Sequence, residues 1–247
     1  IHILIYNKGQ PENGGKKMYA SEEEDRCIVM CRFAKSFSKD GTEVLTLKIE
    51  YPKVDFPDFR RAESIVNRCI RAQIDRFYHY ASTVLYRQAV FAYQNQQPDG
   101  APFHPYDAVM KYEVTCAKNC FFSVYRDCYE FTGGAHGNTV RRSDTWNLAT
   151  GKNVPLGCFF RPGVNYRRTL FEEVLRQAKE NMEKCPDLYF EDYQELIRRY
   201  FSLCHYYLTP DGPVIYYQLY EIAPYAAGFV TFSIPKDLLD CPPKCPG

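Results

Sequence analysis

Two segments of the chain combine residue types that could do chemistry. The first, Tyr129-Glu130-Phe131-Thr132-Gly133-Gly134-Ala135-His136-Gly137-Asn138, sets three glycines around one histidine. Glycine lets a backbone turn sharply or lets a ligand come close, and an imidazole near neutral pH serves as acid, base or ligand. The second, Tyr220-Glu221-Ile222-Ala223-Pro224-Tyr225-Ala226-Ala227-Gly228, reads as a bend carrying one carboxylate and two tyrosines. Tyrosine has an apolar body and a polar tip, and beside a carboxylate it suits sugar or peptide recognition. Together the segments nominate Tyr129, Thr132, Gly133, Gly134, His136, Tyr220, Glu221 and Tyr225 as a ligand-binding set. If His136 met Glu130 or Glu221 in space, the pair could act as general acid and base. A structural reading competes: each segment builds a difficult turn, with His136 capping carbonyls and Glu221 satisfied by backbone amides. A phosphate cradle is the weaker reading of the glycines, because no lysine or helix start follows them.

Other chemistry is poorly represented. The chain has no GxSxG elbow, no P-loop and no HExxH. None of its five histidines sits at zinc spacing from another, and no CxxC occurs. No metal and no cofactor is therefore expected.

The cysteines are numerous and scattered. Eleven of them favour a disulfide framework and an oxidising compartment. The odd count leaves at least one thiol free or paired outside the chain. Cys116 and Cys120 flank Ala117-Lys118-Asn119, which looks like a tight hairpin turn. Cross-strand neighbours come close enough to bridge, so a Cys116–Cys120 disulfide is expected. Cys27 and Cys31 share one strand face about 13 Å apart, too far to pair with each other. Cys241 and Cys245 bracket a stiff Pro-Pro-Lys tail.

Composition narrows the classes further. The net charge of the 247 residues is +1, which argues against a dedicated nucleic-acid binder. Aromatic residues reach 16%, with 21 Tyr and 17 Phe, a supply suited to half-buried sheets and binding surfaces. No segment is apolar for long enough to span a bilayer as a helix. A signal or membrane tether would lie upstream of Ile1.

The elements that must position these residues follow from periodicity. Residues 1–6 suggest a strand, and 7–25 a polar loop with an acidic run at 22–25. Residues 26–37 and 43–51 read as a hairpin across Ser38-Lys39-Asp40-Gly41. A long helical pattern covers 58–96, with Asp58 as N-cap and Pro98-Asp99-Gly100 as its stop. Residues 106–147 look like a β-meander broken at Gly133–Gly137. Helices are expected over 164–183 and 191–201, then a hairpin of 203–208 with 214–219, and a last strand at 228–234. Hairpins with helices inserted between them predict an α+β fold, with antiparallel sheets carrying one long and one or two shorter helices. The helices do not alternate one-for-one with strands, so a doubly wound parallel sheet is not expected.

The two chemistry-bearing segments also carry a family resemblance. TGGAHGNT at 132–139, followed by a hydrophobic strand and NLATGK at 147–152, resembles the N-terminal module attached to certain bacterial peptidoglycan deacetylases. PDGPVIYYQLYEIAPYAAGFVTFSIP at 210–235 resembles a companion domain of unknown function that commonly follows it. The same two-part unit is similar to the extracellular part of lysozyme-sensing anti-sigma factors. The resemblance implies two modules, 1–147 and 148–247, packed as one unit in an extracytoplasmic protein that is secreted or tethered to a bacterial surface. It implies a lysozyme or peptidoglycan fragments as partner, and the charge balance implies no nucleic acid. The chain has neither a deacetylase catalytic domain nor a sigma-binding segment. The leading expectation is therefore a non-enzymatic recognition or sensing domain. The alternative is a glycan- or peptide-bond hydrolase using His136 with Glu130 or Glu221.

Overall fold

The computed structural model describes residues 27–95 and 102–239. The strand expected at 1–6, the acidic run at 22–25, the helix stop at 98–100 and the Cys241/Cys245 tail lie outside the described residues. Strands β1 (Cys27–Lys39) and β2 (Thr42–Asp55) form the expected hairpin. Its turn places Asp40 and Gly41 at φ of 51° and 82°, the left-handed pair that Asp-Gly adopts at low cost. β2 runs four residues past its expected end and takes in Pro52. Pro52 is tolerated because β2 pairs with β3 only as far as Glu50, so one edge of β2 is open there.

The long helical pattern forms as α1 (Arg60–Tyr80) and α2 (Tyr86–Gln94), joined through Ala81–Leu85 by a wider turn in which the Tyr86 N–H donates to the Ala81 carbonyl. Ala62, Val66, Ile70, Ile74, Phe77, Ala81, Leu85 and Ala89 are buried, as helical spacing requires. The N-terminus corrects one expectation. Asp58 lies in a single 3-10 turn, Pro57–Phe59, and caps nothing; Phe59 holds the N-cap position. Glu63 instead reaches back to accept from the Phe56 N–H at 3.0 Å and from Arg60 at 2.9 Å.

This helical crossover returns the chain to β3 (Tyr106–Lys118), which pairs with β2 in parallel. All other described pairings are antiparallel. β4 (Phe121–Phe131), β5 (Asn138–Asn147) and the short β6 (Lys152–Asn153) complete a six-stranded sheet in the order β1-β2-β3-β4-β5-β6. The β3–β4 turn differs from the expected one. It consists of Asn119 and Cys120, with Lys118 opposite Phe121 and Cys116 opposite Ser123 after a bulge. Cys120 is thus in the turn itself, and the cross-strand argument for a Cys116–Cys120 bridge fails. Cys27, Cys31, Cys69, Cys128, Cys158, Cys185 and Cys204 are thiols.

The second half opens with α3 (Tyr166–Lys184), whose Asn165 side chain accepts from the Arg168 N–H, and α4 (Tyr193–Tyr200). β7 (Tyr206–Thr209), β8 (Gly212–Tyr216) and β9 (Thr231–Ser233) make a small antiparallel sheet. These strands are shorter than periodicity predicts. Past the end of β8 the Gln218 backbone N–H donates to the Glu221 carboxylate instead of a neighbouring strand, while the Gln218 side-chain amide bonds both the N–H and the C=O of Arg141. The fold is α+β, with the large sheet between two layers. One face packs on α1 and α2, and their contact forms a core from Ile28 to Leu148. The other face meets β7, where Ser123 accepts from Leu208 N at 2.9 Å and the Tyr125 and Tyr207 rings lie 5.2 Å apart. A second core gathers around α3, α4 and the small sheet, and takes in Cys116 and Phe121 from the β3–β4 hairpin.

Candidate functional site

β4 and β5 hold the first segment in place. Their pairing ends at Glu130 opposite Asn138, so residues 131–137 form the connecting loop. Gly133 and Gly134 take φ of 91° and 100°, conformations that suit glycine alone, and with Thr132 they form its exposed tip. Gly137 serves close approach instead. A Cβ there would lie 2.6 Å from the Glu130 carbonyl oxygen and against the Tyr129 ring. Tyr129 therefore supports the loop from beneath.

His136 is fixed at both nitrogens. Its Nδ1 lies 2.9 Å from the Gly137 carbonyl, which can only accept, so Nδ1 carries the proton. Nε2 lies 3.1 Å from the Tyr220 hydroxyl and, in the neutral ring, accepts from it. The imidazole stacks on Tyr225 with centroids 4.4 Å apart and planes 18° apart. Tyr220 and Tyr225 lie 5.6 Å apart. Three rings from two distant segments thus form one cluster. Tyr220 is 49% exposed and has φ of 64°. That region normally takes glycine, asparagine or aspartate, and holding a tyrosine there costs about 1–2 kcal/mol.

The two carboxylates go elsewhere. Side chains alternate along β4, so Glu130 shares the helix-facing side with Cys128 and Arg126, and its Oε2 accepts from the Tyr80 hydroxyl at 3.1 Å. Glu221 accepts from the Gln218 N–H at 2.7 Å. Burial pushes its carboxyl above the usual range, and the Gln218 bond offsets this only in part. Neither carboxylate hydrogen bonds to His136. Of the eight nominated binding residues, His136, Tyr220 and Tyr225 form the ring cluster. Glu221 and Tyr129 brace it, and Thr132, Gly133 and Gly134 shape the loop beside it.

Sequence reasoning missed two groups. Arg141 is 9% exposed and binds Asp127 through Nε and Nη2 at 2.8 and 2.7 Å. It lies between the rings of Tyr125 and Phe229, 3.8 and 4.0 Å from their centroids. On the opposite face a cleft of about 330 Å³ opens between α1 and the sheet, lined by residues that include Arg76, Arg126, Glu130 and Arg142. The adjacent charged residues Arg126-Asp127 on β4 and Arg141-Arg142 on β5 were visible in the sequence, but the strand register that pairs them was not. Among the described residues, no group of three or more His, Cys, Asp and Glu side chains is placed to hold a metal ion.

This architecture defines a two-part α+β module, and comparison with known proteins agrees. Residues 38–139 match the family model described as deacetylase PdaC. Residues 159–237 match a family described as a protein of unknown function, DUF3298. The chain therefore carries a PdaC-like domain followed by a DUF3298 domain. A DUF3298 family member from Bacteroides fragilis superposes with a TM-score of 0.64 at 17% identity, over 87% of this chain and 92% of that one. A DUF3298 family protein from Pseudomonas aeruginosa gives a TM-score of 0.55 at 18% identity, over 86% and 91%. Both likenesses concern the fold alone. No curated protein matches the chain.

Proposed function

We propose that the chain is a non-enzymatic recognition module working outside the cytoplasm, and that the His136–Tyr220–Tyr225 rings form its platform for a cell-wall glycan. The observation that carries this reading is Tyr220. An exposed tyrosine is held in a left-handed conformation that a smaller residue would occupy at lower cost, and its ring closes a stack built from both halves of the chain. Backbone strain retained at an exposed aromatic residue points to function. Flat ring faces beside hydroxyls and an imidazole suit a sugar, which offers C–H faces and hydroxyl edges. The match of residues 38–139 to deacetylase PdaC supports a link to the cell wall. The engagement of Glu130 and Glu221 with other groups weighs against an acid–base pair with His136.

The second reading is a protein ligand of the lysozyme type, drawn from the resemblance to anti-sigma ectodomains. The exposed 132–135 loop tip beside the rings favours it. Calorimetric titration with a muropeptide mixture and, separately, a c-type lysozyme tests both. Saturable heat from muropeptides is expected, with Tyr225→Ala and Tyr220→Asn each weakening binding by about 1–2 kcal/mol. Saturable heat from lysozyme alone would replace the glycan by the protein ligand. Silence in both titrations, or heat that continues after saturation, would overturn the recognition reading.

A further inference from the structure

A cleft away from the ring cluster opens on the helix-covered face of the large sheet. Arg126 on β4 and Arg142 on β5 are directly opposed and line the same cleft. Like charges facing each other across a strand pair destabilise a sheet. Only one of the two is balanced. Arg126, 8% exposed, donates to Asp144 Oδ2 at 2.6 Å. The same oxygen accepts from Gln73 at 3.0 Å, and Gln73 in turn accepts from the Tyr112 hydroxyl at 2.7 Å. This buried chain fixes Arg126 and consumes Asp144. Arg142, and Arg76 on α1, line the cleft without an ion pair among the described residues. Glu130, at the rim, is engaged by Tyr80. Three guanidinium groups face two carboxylates, so one positive charge is left over.

We propose that this cleft binds the free carboxylate of a small ligand with an apolar body, of amino-acid or dipeptide size. Arg76 and Arg142 would grip the carboxylate, as planar guanidinium groups do. Phe77, Met110 and Val140 supply the apolar lining, and about 330 Å³ falls at the low end of small-ligand sites. The Cys128 thiol, raised to about 11 by burial, stays neutral in the lining and adds no competing anion. The wide turn at Ala81–Leu85 begins immediately after Tyr80, the residue that orients Glu130. Such turns within helices recur at functional sites.

The test uses the full chain, with N-acetyl-leucine as probe and leucinamide and inorganic phosphate as comparators, read by NMR shift titration. N-acetyl-leucine should bind saturably in the millimolar range and more tightly than either comparator. Arg142→Gln and Arg76→Gln should each weaken it by about tenfold or more. Both arginines are exposed, so the variants should keep the wild-type far-UV spectrum. If they do not, raised salt must weaken the wild-type protein's affinity for N-acetyl-leucine more than twofold. Tyr225→Ala should leave this binding unchanged, which separates the cleft from the ring platform. No saturation by about 10 mM, equal binding of leucinamide or phosphate, or unchanged affinity in both arginine variants would overturn the proposal.

Discussion

Replacing Gly137 with alanine tests whether the histidine loop is built by close packing. The new Cβ would lie 2.6 Å from the Glu130 carbonyl oxygen and press on the Tyr129 ring. A side chain could swing away, but the Glu130 backbone is held by its pairing with Asn138 and cannot yield cheaply. The loop must therefore lift, carrying His136 off the Tyr220 hydroxyl and the Tyr225 ring. Forcing a methyl into a filled site costs about 1–3 kcal/mol. For a chain of this size that lowers Tm by about 2–4 °C per kcal/mol, so a drop of roughly 2–12 °C is expected. Differential scanning calorimetry reads the drop, and near-UV circular dichroism reads the loss of ring stacking. Gly134→Ala is the control. It meets open space at φ of 100°, so it should cost only backbone strain and leave the near-UV signal intact. A Gly137→Ala protein that melts within about 1 °C of wild type with an unchanged near-UV spectrum would refute the reasoning.

Three further outcomes follow from the same structure. Arg141→Ala leaves Asp127 half-buried without its bidentate partner and empties the slot between Tyr125 and Phe229, so urea denaturation should show a loss of about 2–4 kcal/mol; less than about 1 kcal/mol would contradict the contact. Glu221 has a folded pKa above its unfolded value, so its contribution to stability is fully present below the unfolded pKa and is lost as pH rises through the folded one. Glu221→Gln, which keeps an acceptor for the Gln218 N–H, should thus stabilise the protein at neutral pH and flatten the decline just above the ordinary carboxylate range; a variant less stable than wild type at pH 7 would contradict this. Cys128, raised to about 11 by burial, should alkylate at pH 8 far more slowly than the exposed Cys158 and Cys204, and peptide mapping that finds comparable rates would show that the thiol is not buried.

Much of the secondary structure was legible in the sequence, because periodicity and turn chemistry are properties of near neighbours. Asp40-Gly41 announces its own hairpin, and the burial of Ala62, Val66, Ile70, Ile74 and Phe77 follows from helical spacing alone. The alternation of hairpins and helices sufficed for the α+β class. Elsewhere local signals were overruled. Asp58 lies within the 3-10 turn that precedes the helix, so Phe59 takes the N-cap position, and the strand expected to continue to residue 219 ends where the Gln218 N–H donates to the Glu221 carboxylate and its side chain bonds Arg141. The parallel β2–β3 pairing needs the whole helical crossover, and no residue in either strand encodes it.

The candidate site divides in the same way. Its residue types and its two segments could be read from the chain, including His136, Tyr220 and Tyr225. Their stacking could not, because it joins positions 84 residues apart. The separation of Glu130 from His136 was half-visible, since strand alternation sends Glu130 to the helix side once β4 is known to reach Phe131. The opposed Arg126 and Arg142 were invisible without the β4–β5 register, because a one-residue slip would place them on opposite faces. Sequence by itself determined which residues can stack, bond or carry charge. Only the tertiary structure decided which of them meet, because register and layer packing are settled by contacts between distant parts of the chain.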